Sequence, residues 1–193
     1  MVPVDSFCMR KLTPLVILLI GCTASEPFDK VAALKKGQAI ASTSFQTLMA
    51  QVTAAMQEGG PAHAVAYCNL QALPLVDSLS RVEGVRIKRT SDRVRAPHDR
   101  PDADERKALE LYLERIRSGD DATTPVTWLV GDSVAYYQPI FIVSTNCLKC
   151  HGKAGRELDP AAHAEIQRLY PNDEAIGYAE GGFRGLWSIR WKR

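Results

Sequence analysis

The chain has no surplus of charge. Its 24 basic residues face 22 acidic ones, a formal +2 over 193 residues, too even to argue for a nucleic-acid partner or an anionic surface. It has no internal repeat and no low-complexity run, which sets aside solenoids and linker-like chains. It has no apolar run long enough to cross a bilayer: the stretch from Leu12 to Ile20 is about half of the roughly 20 residues that a spanning helix needs. What remains is ordinary globular material, 46% apolar and 24% charged, in a length that suits one folded domain behind a leader.

The short apolar run defines the leader. Arg10 and Lys11 precede it, and Leu19-Ile20-Gly21-Cys22 follows its core, the order of a bacterial export signal. The last four residues resemble a lipobox, in which residues 1–21 are removed and Cys22 becomes an acylated N-terminus. The competing reading is cleavage near Ala24 or Ser25, which would release an unanchored protein. Nothing before Met9 resembles a leader, so Met9 is a candidate start. A lipid-anchored periplasmic protein is expected, held by its acyl chains with residues 22–193 folded in water. Thr23 rather than Asp after Cys22 favours the outer membrane.

Cysteine is scarce and its number is awkward. Of five, Cys8 leaves with the leader and Cys22 takes lipid, so Cys68, Cys147 and Cys150 remain. Three is wrong for a disulfide framework in an oxidising compartment. Cys147, Cys150 and His151 spell C-x-x-C-H, the attachment signature of a c-type haem. Each cysteine would form a thioether, and His151 would reach the iron as proximal ligand. Chance occurrence is on the order of one in a thousand at ordinary residue frequencies. A thioredoxin-like disulfide would want a surrounding βαβ unit, and a zinc site would want a second ligand pair. Neither pattern is present, and export agrees with haem c. Cys68 is left over, as a sixth iron ligand or as a buried thiol.

Periodicity orders the rest. Val31, Leu34, Phe45, Leu48, Val52 and Met56 recur at helical spacing from Asp29 to Met56, and Glu58-Gly59-Gly60-Pro61 ends one helix and starts another. The second runs to about Leu79 with Val65, Cys68, Ala72, Leu75 and Leu79 on one face, and Pro74 predicts a kink. Residues 85–91 alternate as a strand, and a polar loop covers 92–101. Asp102 with Glu105 reads as a capping box for a helix carrying Leu109, Tyr112, Leu113 and Ile116. Residues 126–131 and 134–143 read as strands turning at Gly131-Asp132. A short helix spans Ala161–Leu169, and a last strand at 184–192 puts Trp187, Ile189 and Trp191 on one face. Helices followed mostly by antiparallel strands make an α+β fold.

Four stretches, 66–73 (AYCNLQAL), 89–105 (RTSDRVRAPHDRPDADE), 136–152 (YYQPIFIVSTNCLKCHG) and 175–189 (AIGYAEGGFRGLWSI), resemble a family of PAS-like c-type haem domains. That family occurs alone or as sensor regions of signalling proteins. The resemblance implies a PAS-like antiparallel sheet with N-terminal helices, one covalent haem c against the sheet, and Cys68 as the sixth ligand. One departure is plain: where the family has Arg-Asn-Pro-x-Asn, this chain has Arg95-Ala96-Pro97-His98-Asp99. Arg89 and Arg95, with Arg93 between them, are candidates to grip the haem propionates through forked hydrogen bonds, against the alternative of a solvated basic edge. His63, His98 and His163 read as surface residues, and Met49 and Met56 as core. The chain is expected to be a monohaem c-type cytochrome for one-electron transfer or redox sensing, not an enzyme. Its alternative is a gas or ligand sensor acting through a separate partner, since no output segment is present.

Overall fold

The computed structural model describes residues 27–193; the leader and Cys22 lie outside the described residues. The first element, α1 (Lys30–Glu83), is two helical limbs joined at a kink. Asp29 caps its start by accepting the Ala32 amide at 2.9 Å. The limbs part at Gly59 and Gly60, the latter at φ 73°, a conformation that glycine tolerates at no steric cost. Tyr67 Oη donates to Gln51 Oε1 at 3.1 Å. In a straight helix those residues would stand ~24 Å apart, so the limbs fold back as a hairpin. Pro74 is a difference from expectation: the backbone keeps helical angles through it, and the only non-helical residues within α1 are the two glycines.

The sheet orders its strands β1-β4-β3-β2, all antiparallel: β1 (Arg86–Thr90), β2 (Val126–Val130), β3 (Ser133–Phe141) and β4 (Phe183–Lys192). Strand alternation sends Ile87, Tyr136, Trp187, Ile189 and Trp191 towards α1, where they meet Ile40, Leu48, Ala72 and Val76. The other residues, Ala135, Tyr137 and Leu186, face α2 (Ala103–Ser118) through Leu109 and Tyr112. The predicted capping box is present: Asp102 Oδ1 accepts from the Asp104 and Glu105 amides, and Glu105 Oε2 accepts from the Asp102 amide at 2.9 Å. Glu105 is fully buried, with Lys88 Nζ 2.7 Å from its Oε2. That pair ties α2 to β1.

Two further helices, α3 (Thr145–His151) and α4 (Pro160–Leu169), fill the return from β3 to β4. The C-x-x-C-H stretch is thus itself helical. The fold is the α+β antiparallel sheet with N-terminal helices read from the sequence. No helix among the described residues is long and apolar enough to cross a membrane.

One close approach fixes α1 on the sheet. A Cβ on Gly37 would lie 2.2 Å from Cγ of the fully buried Tyr136 ring, far inside van der Waals contact. Gly37→Ala is therefore expected to destabilise the protein by about 1–3 kcal/mol through overpacking, despite the better helix propensity of alanine. Urea unfolding checks this, and an alanine variant at least as stable as the parent would contradict it.

Candidate functional site

The site is built on α3. Residues three apart share one helix face, so Cys147 and Cys150 present their sulfurs on one side, and His151 closes the helix. Cys147 Sγ is 3.4 Å from Ser144 Oγ. Gly152 ends the helix because nothing larger fits: a Cβ there would lie 2.6 Å from Leu148 O and 2.8 Å from Glu157 Cβ. Downstream, the amides of Gly177 and Tyr178 donate to Gly152 O at 2.8 Å and His151 O at 2.9 Å. These bonds lay residues 173–178 alongside the helix end.

The key side chain is half-buried His151. Its Nδ1 lies 2.7 Å from Ala175 O. A carbonyl only accepts, so Nδ1 carries the hydrogen and Nε2 keeps a free lone pair. Burial, then the positive charges of Arg95 and Arg184, holds the imidazole well below its usual range, while the Ala175 bond opposes the shift. The ring is neutral at physiological pH. This is the form in which histidine serves as a metal ligand, with the far nitrogen anchored and the near one available.

Cys68 comes from the second limb of α1. It packs against the core on the sheet side, near enough to Cys150 for its charge to raise the Cys150 thiol. Burial pushes the Cys68 thiol up, against the pull of Arg89 and Arg95. Burial likewise pushes Cys150 up to about 11, with Arg95 opposing. A catalytic thiol is one lowered towards neutrality, and burial moves Cys150 the other way. Cys68, Cys147 and Cys150 are all free, and the sheet beside them has no parallel pair. Among the described residues no group of three or more His, Cys, Asp or Glu side chains is arranged to hold a metal ion by itself.

Positive charge surrounds this group. Arg89, on the same β1 face as Ile87, lines a cavity of about 420 Å³ between α1 and β1 with Ala72, Val76, Val85 and His98. Ala72 lies one helical turn beyond Cys68. Arg184 is pulled below its usual range by burial and by Arg95 and Arg89. Arg93 stacks 4.2 Å over the Tyr178 ring, with Arg184 on it at 5.6 Å. Arg95 is engaged within the protein. Its Nε is 2.9 Å from Asp173 Oδ1, and its Nη2 donates to Cys150 O at 2.7 Å and Ala175 O at 3.2 Å. Arg93 donates through Nε to Glu174 O at 3.0 Å and through Nη2 to Ile176 O. Three consecutive carbonyls of an irregular segment, that of buried Ala175 among them, are thus satisfied by two arginines.

These observations fit the haem expected from the C-x-x-C-H signature. There are two thiols on one helix face, an imidazole nitrogen free to ligate, and a third sulfur from α1. Guanidinium groups beside them suit the two acid arms of such a group. Tyr178 Oη is buried without a partner among the described residues, its ring edge-on to His151 at 6.1 Å. A buried hydroxyl left unpaired is costly, and an oxygen-bearing ligand would satisfy it.

The model of the family described as "Tll0287-like: Tll0287" matches residues 29–191. The chain belongs to the Tll0287-like family. A solved structure, the crystal structure of the cyanobacterial heme-protein Tll0287, matches it with a TM-score of 0.58 and 20% identity, covering 82% of this chain and 96% of that one. At that identity the likeness establishes a shared fold. No curated protein matches the chain. Within the Tll0287-like frame, the alanine-for-asparagine departure at Ala96 has a local account: Ala96 is buried with Val65 and Ile166, an apolar solution at that position.

Sequence reasoning missed Tyr178, Arg184, Asp173 and Ala175, although Tyr178, Arg184 and Ala175 stand in the stretch 175–189 that carries the family resemblance. The alternation Arg93-x-Arg95 was the available signal that one loop presents two guanidinium groups to one neighbour. His98 and His63 stay at the surface beside Asp99 and Glu58. Met49 and Met56 are half-buried on the first limb of α1. Tyr178→Phe should leave the stability of the haem-free protein unchanged or raise it by up to about 1 kcal/mol, because it removes an unpaired buried hydroxyl. A loss larger than about 1 kcal/mol on chemical denaturation would mean that the hydroxyl is already partnered.

Proposed function

We propose that this protein is an exported, lipid-anchored, monohaem c-type cytochrome that handles single electrons, by transfer or as a redox sensor. The observation that carries the reading is the neutral His151, anchored through Nδ1 on Ala175 O immediately after two free cysteines on the same helix. Family membership, and a solved relative that is itself a heme-protein, support haem as the group held. In this reading Cys147 and Cys150 would hold the haem through thioethers, and His151 and Cys68 would supply the nitrogen and sulfur donors to its iron. Arg89 and Arg184 face the acid groups. Haem iron supplies a one-electron couple when bound. The chain's own contribution is to fix the imidazole, supply a sulfur donor from α1, and surround both with positive charge. A thiolate from Cys68 donates electron density and favours the ferric state, so the potential should fall well below that of a His/Met cytochrome. The partner would be a separate redox or signalling protein.

Expression of the full chain with haem-attachment machinery, followed by membrane fractionation and denaturing mass spectrometry, tests the whole reading. The expected product begins at an acylated Cys22, retains one haem mass after acid–acetone extraction, and leaves the membrane in Cys22→Ser. Haem removed by acid–acetone would overturn covalent attachment, and membrane-bound Cys22→Ser would overturn the anchor. Reduced bands that carbon monoxide leaves in place are expected of a carrier; bands that move assign the protein to the gas-sensor class.

A further inference from the structure

The carbonyl that holds His151 is not a free acceptor. Ala175 O receives the His151 Nδ1–H at 2.7 Å and, on its other side, Arg95 Nη2 at 3.2 Å. Arg95 is in turn paired with Asp173, Nε to Oδ1 at 2.9 Å and Nη2 to Oδ2 at 3.3 Å. Asp173 Oδ1 also accepts the Ala175 amide at 3.1 Å. Both partners are largely buried, the Arg95 side chain at 12% and the Asp173 side chain at 6% exposure, so solvent screens neither charge well. The chain of contacts therefore runs carboxylate, guanidinium, carbonyl, imidazole.

We infer that Arg95 and Asp173 together set the donor strength of His151, and with it the reduction potential of the group it ligates. Arg95 is thus a positioning residue for His151. The inference rests on the haem reading above. The physical reason is twofold. An imidazole becomes a stronger donor as its Nδ1–H is pulled harder by its acceptor. A carbonyl whose other lone pair faces a guanidinium has its electron density drawn away and pulls less. The guanidinium charge also disfavours the more positive, oxidised iron directly, as any nearby cation does in a poorly screened interior. Both effects of Arg95 raise the potential, and Asp173 offsets both.

The two residues should thus act with opposite signs. Arg95→Gln removes the cation and leaves the carboxylate, so the potential falls. Asp173→Asn removes the carboxylate and leaves the cation, so the potential rises. The double variant Arg95→Gln/Asp173→Asn restores neutrality and should return close to the parent value. Arg95→Lys keeps the charge without the fork and should also stay close. A merely structural role predicts something else: each change loosens the 173–175 turn, all potentials move one way, and the double variant is the worst.

The test is spectroelectrochemical titration of the holoprotein variants, with haem mass and helix content recorded for each. Opposite shifts in the two single variants, cancelling in the double, are expected. Shifts in one direction, or none, in variants that carry haem and keep the parent's helix content would overturn the inference while leaving the haem reading intact. Absence of covalent haem in the parent protein would overturn the haem reading, and the inference with it. If Arg95→Gln fails to fold with its carboxylate stranded, Asp173→Asn decides alone: a rise supports the inference and an unchanged or lower potential overturns it.

Discussion

Everything at the site depends on a run of backbone without regular structure, residues 173–178, being held rigid. Such a run exposes carbonyls that neither helix nor sheet can satisfy. Here the loop after β1 supplies the donors: Arg93 takes Glu174 O and Ile176 O, and Arg95 takes Ala175 O. Once Ala175 O is fixed, it orients the His151 ring, selects its tautomer and leaves Nε2 free. The same arginine reaches Cys150 O, so the helix bearing both thiols and the segment orienting the imidazole share one cation. The guanidinium group is suited to this, because its planar fork serves several acceptors at once where an ammonium would act as a point charge.

The second wall of the site comes from a distance in sequence. The hairpin of α1 turns at Gly59-Gly60 and lays its return limb on the sheet, with Ala72 and Val76 against Ile87 and Ile189. That packing carries Cys68 towards Cys150. Gly37 lets the first limb settle on the Tyr136 ring, and the buried Lys88–Glu105 pair holds α2 to β1 on the other side. The donors therefore sit on packed elements whose positions are set by the core, as a site of fixed geometry requires. Placing a neutral imidazole beside several guanidinium groups leaves a positive field, which complements a group carrying two carboxylates.

Much of this is legible in the sequence, for specific reasons. Local rules find the glycine break in α1, the capping box at Asp102 and Glu105, the turn at Gly131-Asp132 and the aromatic face of β4, because each is decided within a few residues. C-x-x-C-H singles out Cys147, Cys150 and His151 because the chemistry demands that spacing. Helical periodicity turns Cys68 inward. Pro74 reads locally as a kink, yet packing of the limb on the sheet keeps its backbone helical. Arg95 is legible as a functional cation but its target is not, because Asp173 and Ala175 lie 78 and 80 residues away. Tyr178 and Arg184 carry no local pattern; only the fold stacks one on the other.

The central claim is that a sulfur from α1 and a nitrogen from α3 meet on one iron. Iron-edge X-ray absorption on the ferric protein and on Cys68→Ala reads that donor set directly. The account predicts one sulfur coordinated to the iron in the parent, absent in Cys68→Ala. Coordination by nitrogen alone in the parent, or a sulfur that persists in Cys68→Ala, would contradict it.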